Sequence, residues 1–245
     1  MIEQLRQRLL ALQRMPGIGG KPGFMPLGIA AIDTILGGGL MRGALHEIAA
    51  VSESHFIAAA GFALGLTTLS ASSPRLFWIA EDMTFAESGA PHGGGFDAFG
   101  LAPERLVTVS TAHRRDLLWA MEETLRCRTV DTVIGEMRSG RIDGVAVRRL
   151  SLAAAESGAL ALLLRAAPPT DASTAATRWI VGAAPSAAVH GPGAPRFAMQ
   201  LVRNRRGPTG SWILEWSDAD ERFILATHAE SMAALVFDRP HRRVA

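Results

Sequence analysis

The sequence predicts an α/β domain with a mostly parallel central sheet, helices on both faces and antiparallel strands at its C-terminal end. Three features predict it. Short apolar runs alternate with helical segments through residue 165. One of those runs, residues 44–49, is led in by spaced glycines and followed by a helix that is apolar nearly all round. Late in the chain, two strand-like runs flank RNRRGPTG, whose glycines and proline mark a hairpin turn.

At 245 residues the chain has the length of one large α/β domain and can bury a substantial core without staples. Apolar residues make up 48% and charged residues 20%, a globular composition. The single Cys127 excludes a disulfide framework and any multi-cysteine metal site, and reads as a small core residue. Residues 1–14 are charged and amphipathic, with no apolar signal region, and the longest low-polarity run, 56–66, is well short of the ~20 residues that span a bilayer. A cytoplasmic location without membrane contact is the expectation. A sequence pI near 9.4 with a formal charge of +2 permits nucleic-acid contact without demanding it.

The chain divides into residues 1–23, a core at 24–227 and a tail at 228–245. Ile2, Leu5, Leu9 and Leu12 recur at helical spacing, so residues 2–14 are expected to form an amphipathic helix that Pro16 and Gly17 end. Because a Gly/Pro-rich linker, 16–23, separates this helix from the core, its leucine stripe is a candidate partner-binding surface as well as a packing surface.

Strands are expected at 44–49, 76–80, 105–109, 130–135, 159–164, 178–181, 197–203, 211–217 and 223–226. Helices are expected at 54–70 and 114–127, and residues 87–100, ESGAPHGGGFDAFG, read as a flexible loop of small residues. Trp212 and Trp216 differ by an even number, which places them on one face of their strand, toward the core.

The lead into the first of these strands is Gly28-Ile29, Ile32-Asp33, Gly37-Gly38-Gly39-Leu40 and Gly43. It resembles the start of a RecA-type P-loop ATPase core, in which the strand opens into a Gly-rich loop that cradles phosphates at the N-terminus of a helix. The loop lacks its chemistry. Laying G-x-x-x-x-G-K-[ST] on the residues after the strand puts the fixed positions on Ala50, His55, Phe56 and Ile57, so both glycines, the phosphate-binding lysine and the Mg²⁺-binding hydroxyl are missing. No catalytic residue, cofactor or metal is expected.

By the same resemblance, Glu81 falls where a glutamate orients the attacking water, and Glu136 where an aspartate holds the Mg²⁺ shell. Both are vestigial without a phosphate site. Arg165 stands where a γ-phosphate sensor, usually glutamine, is found. Lys21 and Arg42 are the cations that could reach the loop from elsewhere in the chain. Arg138, Arg141, Arg148 and Arg149 cluster where RecA-like proteins carry one DNA-binding loop, and Arg203, Arg205 and Arg206 form a second candidate anion patch. A solvated helix face accounts for the first set equally well, since Asp143 and Glu156 flank it. Residues 168–176 occupy the place of the second DNA loop and lack aromatics for base stacking.

Together with the closing stretch FAMQLVRNRRGPTGSWILEW, this layout resembles the ImuA family of RecA-like, SulA-like damage-inducible mutagenesis proteins, over residues 24–217. The resemblance implies a RecA-like core and a non-catalytic accessory factor of SOS-induced translesion synthesis. Its partners would be an ImuB-type Y-family polymerase homologue and an error-prone replicative-type polymerase, with RecA and single-stranded DNA as further candidates. The alternatives that stay open are an ATPase using an unorthodox nucleotide site and a recombination regulator acting on RecA filaments.

Overall fold

The computed structural model describes residues 23–226, apart from 72, 73, 92, 139, 171, 172 and 187–192. Its opening residues build a brace for the central strand. β1 (Phe24–Met25) pairs antiparallel with β2 (Leu40–Met41), with α1 (Ala30–Leu36) between them. The Asp33 carboxylate accepts the amides of Leu27 and Gly28, fixing the entry to α1. Gly39 has to be glycine: its φ is +124°, and a Cβ there would lie 2.3 Å from the Met25 carbonyl oxygen.

β3 (Ala44–Ala50) follows, buried along its whole length, and a 3-10 turn at Glu53–His55 leads into α2 (Phe56–Ser70). Then come β4 (Leu76–Glu81), α3 (Asp82–Ser88), α4 (Gly93–Asp97), β5 (Leu106–Thr111), α5 (Arg114–Leu125) and β6 (Thr132–Met137). The chain closes with α6 (Gly144–Ser157), β7 (Leu160–Arg165), β8 (Thr177–Ala183), β9 (Arg196–Asn204), β10 (Gly210–Ser217) and β11 (Arg222–Leu225).

The large sheet has the order β11-β10-β9-β8-β3-β7-β6-β4-β5. From β8 to β5 the neighbours are parallel, and β9, β10 and β11 add antiparallel. The fold class read from the sequence is therefore the observed one. Alternation along the strands splits the core in two: Leu76, Trp78 and Ala80 face α2, while Phe77 and Ile79 face α5 and α6. The α2 side holds an aromatic cluster in which Phe62 lies 5.7 Å from Trp179 and 5.4 Å from Phe223. Trp212 and Trp216 are buried there, as their spacing predicts, and Cys127 is buried on the other side.

Residues 87–100 differ from the reading as a flexible loop. They complete α3 and contain α4, and Phe96 and Phe99 are buried in the α2 core. The Phe99 ring is 5.1 Å from that of Trp216, whose indole N–H donates to the Ala98 carbonyl at 2.9 Å. Two aromatics in a small-residue stretch supply enough apolar area to anchor it. Gly135, unusual within a strand, also has a packing reason: a Cβ there would sit 2.0 Å from the Met121 sulfur, so the glycine lets α5 close on the sheet.

Lower on β3, two buried polar residues are fully engaged. The His46 Nε2 donates to the Met41 carbonyl, and its Nδ1 accepts from the Thr177 hydroxyl, which in turn accepts the Trp179 indole N–H. Burial lowers the His46 pKa to about 4, so the ring is neutral near pH 7. Glu47 accepts from Ser173 Oγ at 2.6 Å and pairs with the Arg178 guanidinium.

Candidate functional site

The parallel strands direct their C-terminal ends to one edge of the sheet, where β3 gives way to the degenerate loop. Two of the loop's amides are spent within the fold: Val51 N–H donates to the Val181 carbonyl and His55 N–H to that of Ser52. The His55 Nδ1 accepts the Ala183 amide at 2.9 Å, tying the loop to β8. Ala50 is fully buried. Phe56, at the lysine position, is buried against the core, whereas Ile57, at the hydroxyl position, is 78% exposed.

The face of the Phe56 ring is covered by a cation from another element. The Arg138 guanidinium carbon lies 3.7 Å from the ring centroid. The Arg138 Nε donates to Glu136 Oε1 at 2.8 Å, and the Trp78 indole N–H donates to Glu136 Oε2 at 2.8 Å. Glu136 is thus a buried acceptor between two donors, and Arg138 is held by a carboxylate and an aromatic face. A positive charge does stand near the vestigial loop, but it is already neutralised.

Of the two cations proposed to reach the loop, the one that the structure describes stands elsewhere. Arg42 lies at the opposite end of β3, where its guanidinium donates to the Ser70 carbonyl at the far end of α2. Lys21 lies outside the described residues. Glu81 ends β4 and lines a different cleft from the one beside Phe56, so it does not converge with Glu136 on the loop. Arg165 ends β7 and donates to the Gly140 carbonyl at 2.7 Å.

Beside the loop runs an apolar cleft of about 610 Å³. Along α2 it is lined by the exposed Ile57, the half-buried Ala60 and the buried Gly61 and Leu64, and Phe96 and Phe99 form part of its wall. Its charged lining residues are engaged: Arg138 with Glu136, and Arg196 with Glu215.

A second cleft, of about 1390 Å³, opens between α5 and α6. It brings Arg141 and Arg149 together with His113, Arg114, Arg115 and Trp119. The sequence reading missed this α5 contribution; the signal was the Arg-Arg pair opening a helix that also carries Trp119. Arg149 pairs with Glu122 at 2.6 Å, Arg141 and Arg148 are exposed, and Arg138 is withdrawn to Phe56. The cleft is mixed in sign, since Glu81, Asp116, Glu122 and Asp143 also line it. Asp143 is occupied as the N-cap of α6, accepting the Ala146 amide.

The other arginine patch lies at the opposite end of the sheet, where Asn204 pairs with Thr177, the first residue of β8. Arg205 donates to the Thr174 carbonyl, and the Arg206 guanidinium stacks on Phe24 at 4.6 Å. The two arginine sets therefore do not share a surface. Ile2, Leu5, Leu9 and Leu12, the candidate partner stripe, lie outside the described residues, as does the tail from 228. Among the described residues no cluster of three metal-ligating side chains occurs, and no helix is long and apolar enough to cross a membrane.

No protein-family profile matches the chain. In fold, it is similar to the crystal structure of the RadB recombinase, with a TM-score of 0.54 and 13% identity over 80% of this chain and 97% of that one. In sequence, it is 29% identical to Protein ImuA of Caulobacter vibrioides over 202 residues, covering 75% of this chain and 79% of that protein, with the same values in strains NA1000 and CB 15. The chain is accordingly a RecA-like homologue of Protein ImuA.

Proposed function

We propose that this chain is a non-catalytic RecA-like accessory protein of SOS-induced translesion DNA synthesis. In this role it holds an ImuB-type polymerase homologue through Ile2, Leu5, Leu9 and Leu12, and works alongside an error-prone replicative-type polymerase in the cytoplasm. The observation that carries the non-catalytic part is the Phe56–Arg138–Glu136 unit. Hydrocarbon occupies the lysine position, and the cation that covers it, Arg138, is neutralised by a buried carboxylate. A nucleotide would have to break that ion pair, displace the ring and bind without the usual backbone cradle.

Single-stranded DNA is the second ligand in this reading, bound weakly across the α5–α6 cleft. Arg114 and Arg115 stand in the first turn of α5, where the helix dipole disfavours cations, so an incoming phosphate would relieve an unfavourable placement. Trp119 in the same cleft offers an aromatic surface.

Two measurements on the full chain test the core of this reading. Calorimetric titration with ATP and Mg²⁺ is expected to give no binding in the micromolar range; micromolar binding would support the ATPase alternative. Pull-down of the ImuB-type partner is expected to be lost on replacing Leu5 and Leu9 with Asp, with thermal stability nearly unchanged. Retained capture would remove the stripe from the interface, and a collapse in stability would make it core.

A further inference from the structure

The apolar cleft along α2 is built to take a helix. Ile57, Ala60, Gly61 and Leu64 stand at i, i+3, i+4 and i+7, one stripe of α2; Gly61 and Leu64 are buried, Gly61 beneath Phe99 and Phe197, and Ile57 with the small Ala60 forms the open part of the floor. At the open end Ile57 is 78% exposed, one of the most exposed large apolar side chains among the described residues.

The chain itself supplies a segment of matching pattern, attached near one end of the same helix. Arg42 accounts for the geometry: its backbone amide donates to the Gly23 carbonyl, and its guanidinium donates to the Ser70 carbonyl. The first described residue is therefore beside the C-terminal end of α2, on the same helix whose N-terminal half floors the cleft. From Ser70 back to Leu64 is about 9 Å along a helix, while the stretch joining residue 14 to Gly23 reaches up to about 30 Å when extended. Residues 2–14 can thus lie along α2 without strain in the linker. Their stripe, Ile2, Leu5, Leu9 and Leu12, has the i, i+3, i+7, i+10 spacing of an apolar helix face.

Charge favours the same pairing. Glu53, Glu87 and Asp97 are exposed, each next in the chain to a residue lining the cleft, and none forms an ion pair among the described residues. On a helical period the segment carries Arg6 and Arg8 along the two borders of its stripe. The arginines that line the cleft do not oppose it, because Arg138 and Arg196 each hold a carboxylate.

We propose that residues 2–14 of this chain dock as an amphipathic helix in the cleft over Ile57, Ala60, Gly61 and Leu64 of the same molecule. This rests on the reading of the leucine stripe as the partner-binding surface. The same stripe then serves two seats, so docking at home withholds it from the partner, and partner binding uncovers the space beside the vestigial loop.

Amide hydrogen exchange on the full-length protein tests the proposal. In the unaltered chain, amides within 2–14 are expected to exchange at least ~10-fold more slowly than in an unstructured peptide. Ile57→Asp, a change at an exposed side chain, should remove that protection while leaving exchange in β3 and β7 unchanged. Val145→Asp, at an exposed apolar residue of α6, should leave it intact. Absence of protection in the unaltered chain, or protection that survives Ile57→Asp, overturns the proposal. So does equal loss from Val145→Asp. Protection that appears only as concentration rises, with a dimer in sedimentation, also overturns it in favour of a second copy. The outcome is separable from the partner reading, which fails if Leu5→Asp with Leu9→Asp still captures the partner or collapses in stability.

Discussion

The two ends of β3 solve opposite problems with the same kinds of side chain. At the lower end, His46 and Glu47 are buried and make their polar contacts within the fold, to Met41, Thr177, Ser173 and Arg178. At the upper end the strand enters the loop where a RecA-type core would meet phosphate, and Phe56 fills the cation's place beneath Arg138. The lower end is integral to the fold, since it joins β3 to β8 and to the β1–β2 brace. The upper end has the same strand–loop–helix path, with hydrocarbon and one neutralised ion pair where the P-loop pattern carries a lysine and a hydroxyl. Architecture and chemistry are thus separable in this protein, and they separate along a single strand.

The largest expected effect is at the lower end. Glu47→Ala removes a fully buried carboxylate on which Arg178 and Ser173 both converge, and is expected to cost about 4 kcal/mol in denaturant unfolding. A loss under 1 kcal/mol would mean that the network is not what joins these strands. Phe56→Lys tests the upper end. It strips a buried ring and puts an ammonium at a strand–helix junction that already holds Arg138, so a loss of about 3 kcal/mol is expected with no ATP turnover. Turnover in that variant would show that the loop needs only a charge, and that the distinction between the two ends is shallow.

Acidification probes the lower end through His46. The His46 pKa falls from 6.5 to about 4 on folding, so its contribution is complete above pH 6.5 and lost as pH falls toward 4. That contribution is about 3 kcal/mol by pH 4. Between pH 7 and pH 4.5, urea titrations should show the natural chain losing more unfolding free energy than His46→Gln by nearly this amount; equal losses would remove His46 from the acid response.

The smallest effect sharpens the contrast between the sheet's ends for DNA. Arg141→Ala with Arg148→Ala should lower the salt slope of single-strand binding by about 1.4, as expected for two lost phosphate contacts. Arg205→Ala, at the far end and bound to Thr174, should leave it unchanged. Anisotropy at two salt concentrations compares them, and equal losses would mean that both ends meet the strand.

Local pattern was enough to read the strands, the buried helix after β3, the inward pair Trp212 and Trp216, and the absence of lysine, hydroxyl and glycines from the loop. These depend on residue type and on periods of 2 and 3.6, which neighbours in the chain express directly. Tertiary structure alone decided which distant side chains meet. Nothing in the local pattern distinguishes Arg138, which turns back over Phe56, from Arg141, which faces the α5–α6 cleft. Nor does spacing place Arg114, Arg115 and Trp119 beside Arg141, since α5 and α6 meet only by packing on the same face of the sheet. Phe96 and Phe99 were obscured by the glycines around them, because burial comes from what the sheet offers a ring and not from the composition of its own loop. The chain's sequence specified the elements and the missing phosphate chemistry; the crossing of β6 beside β4 and β7, which sets Arg138 over the Phe56 ring, is a property of strand order, and strand order is set by long-range burial.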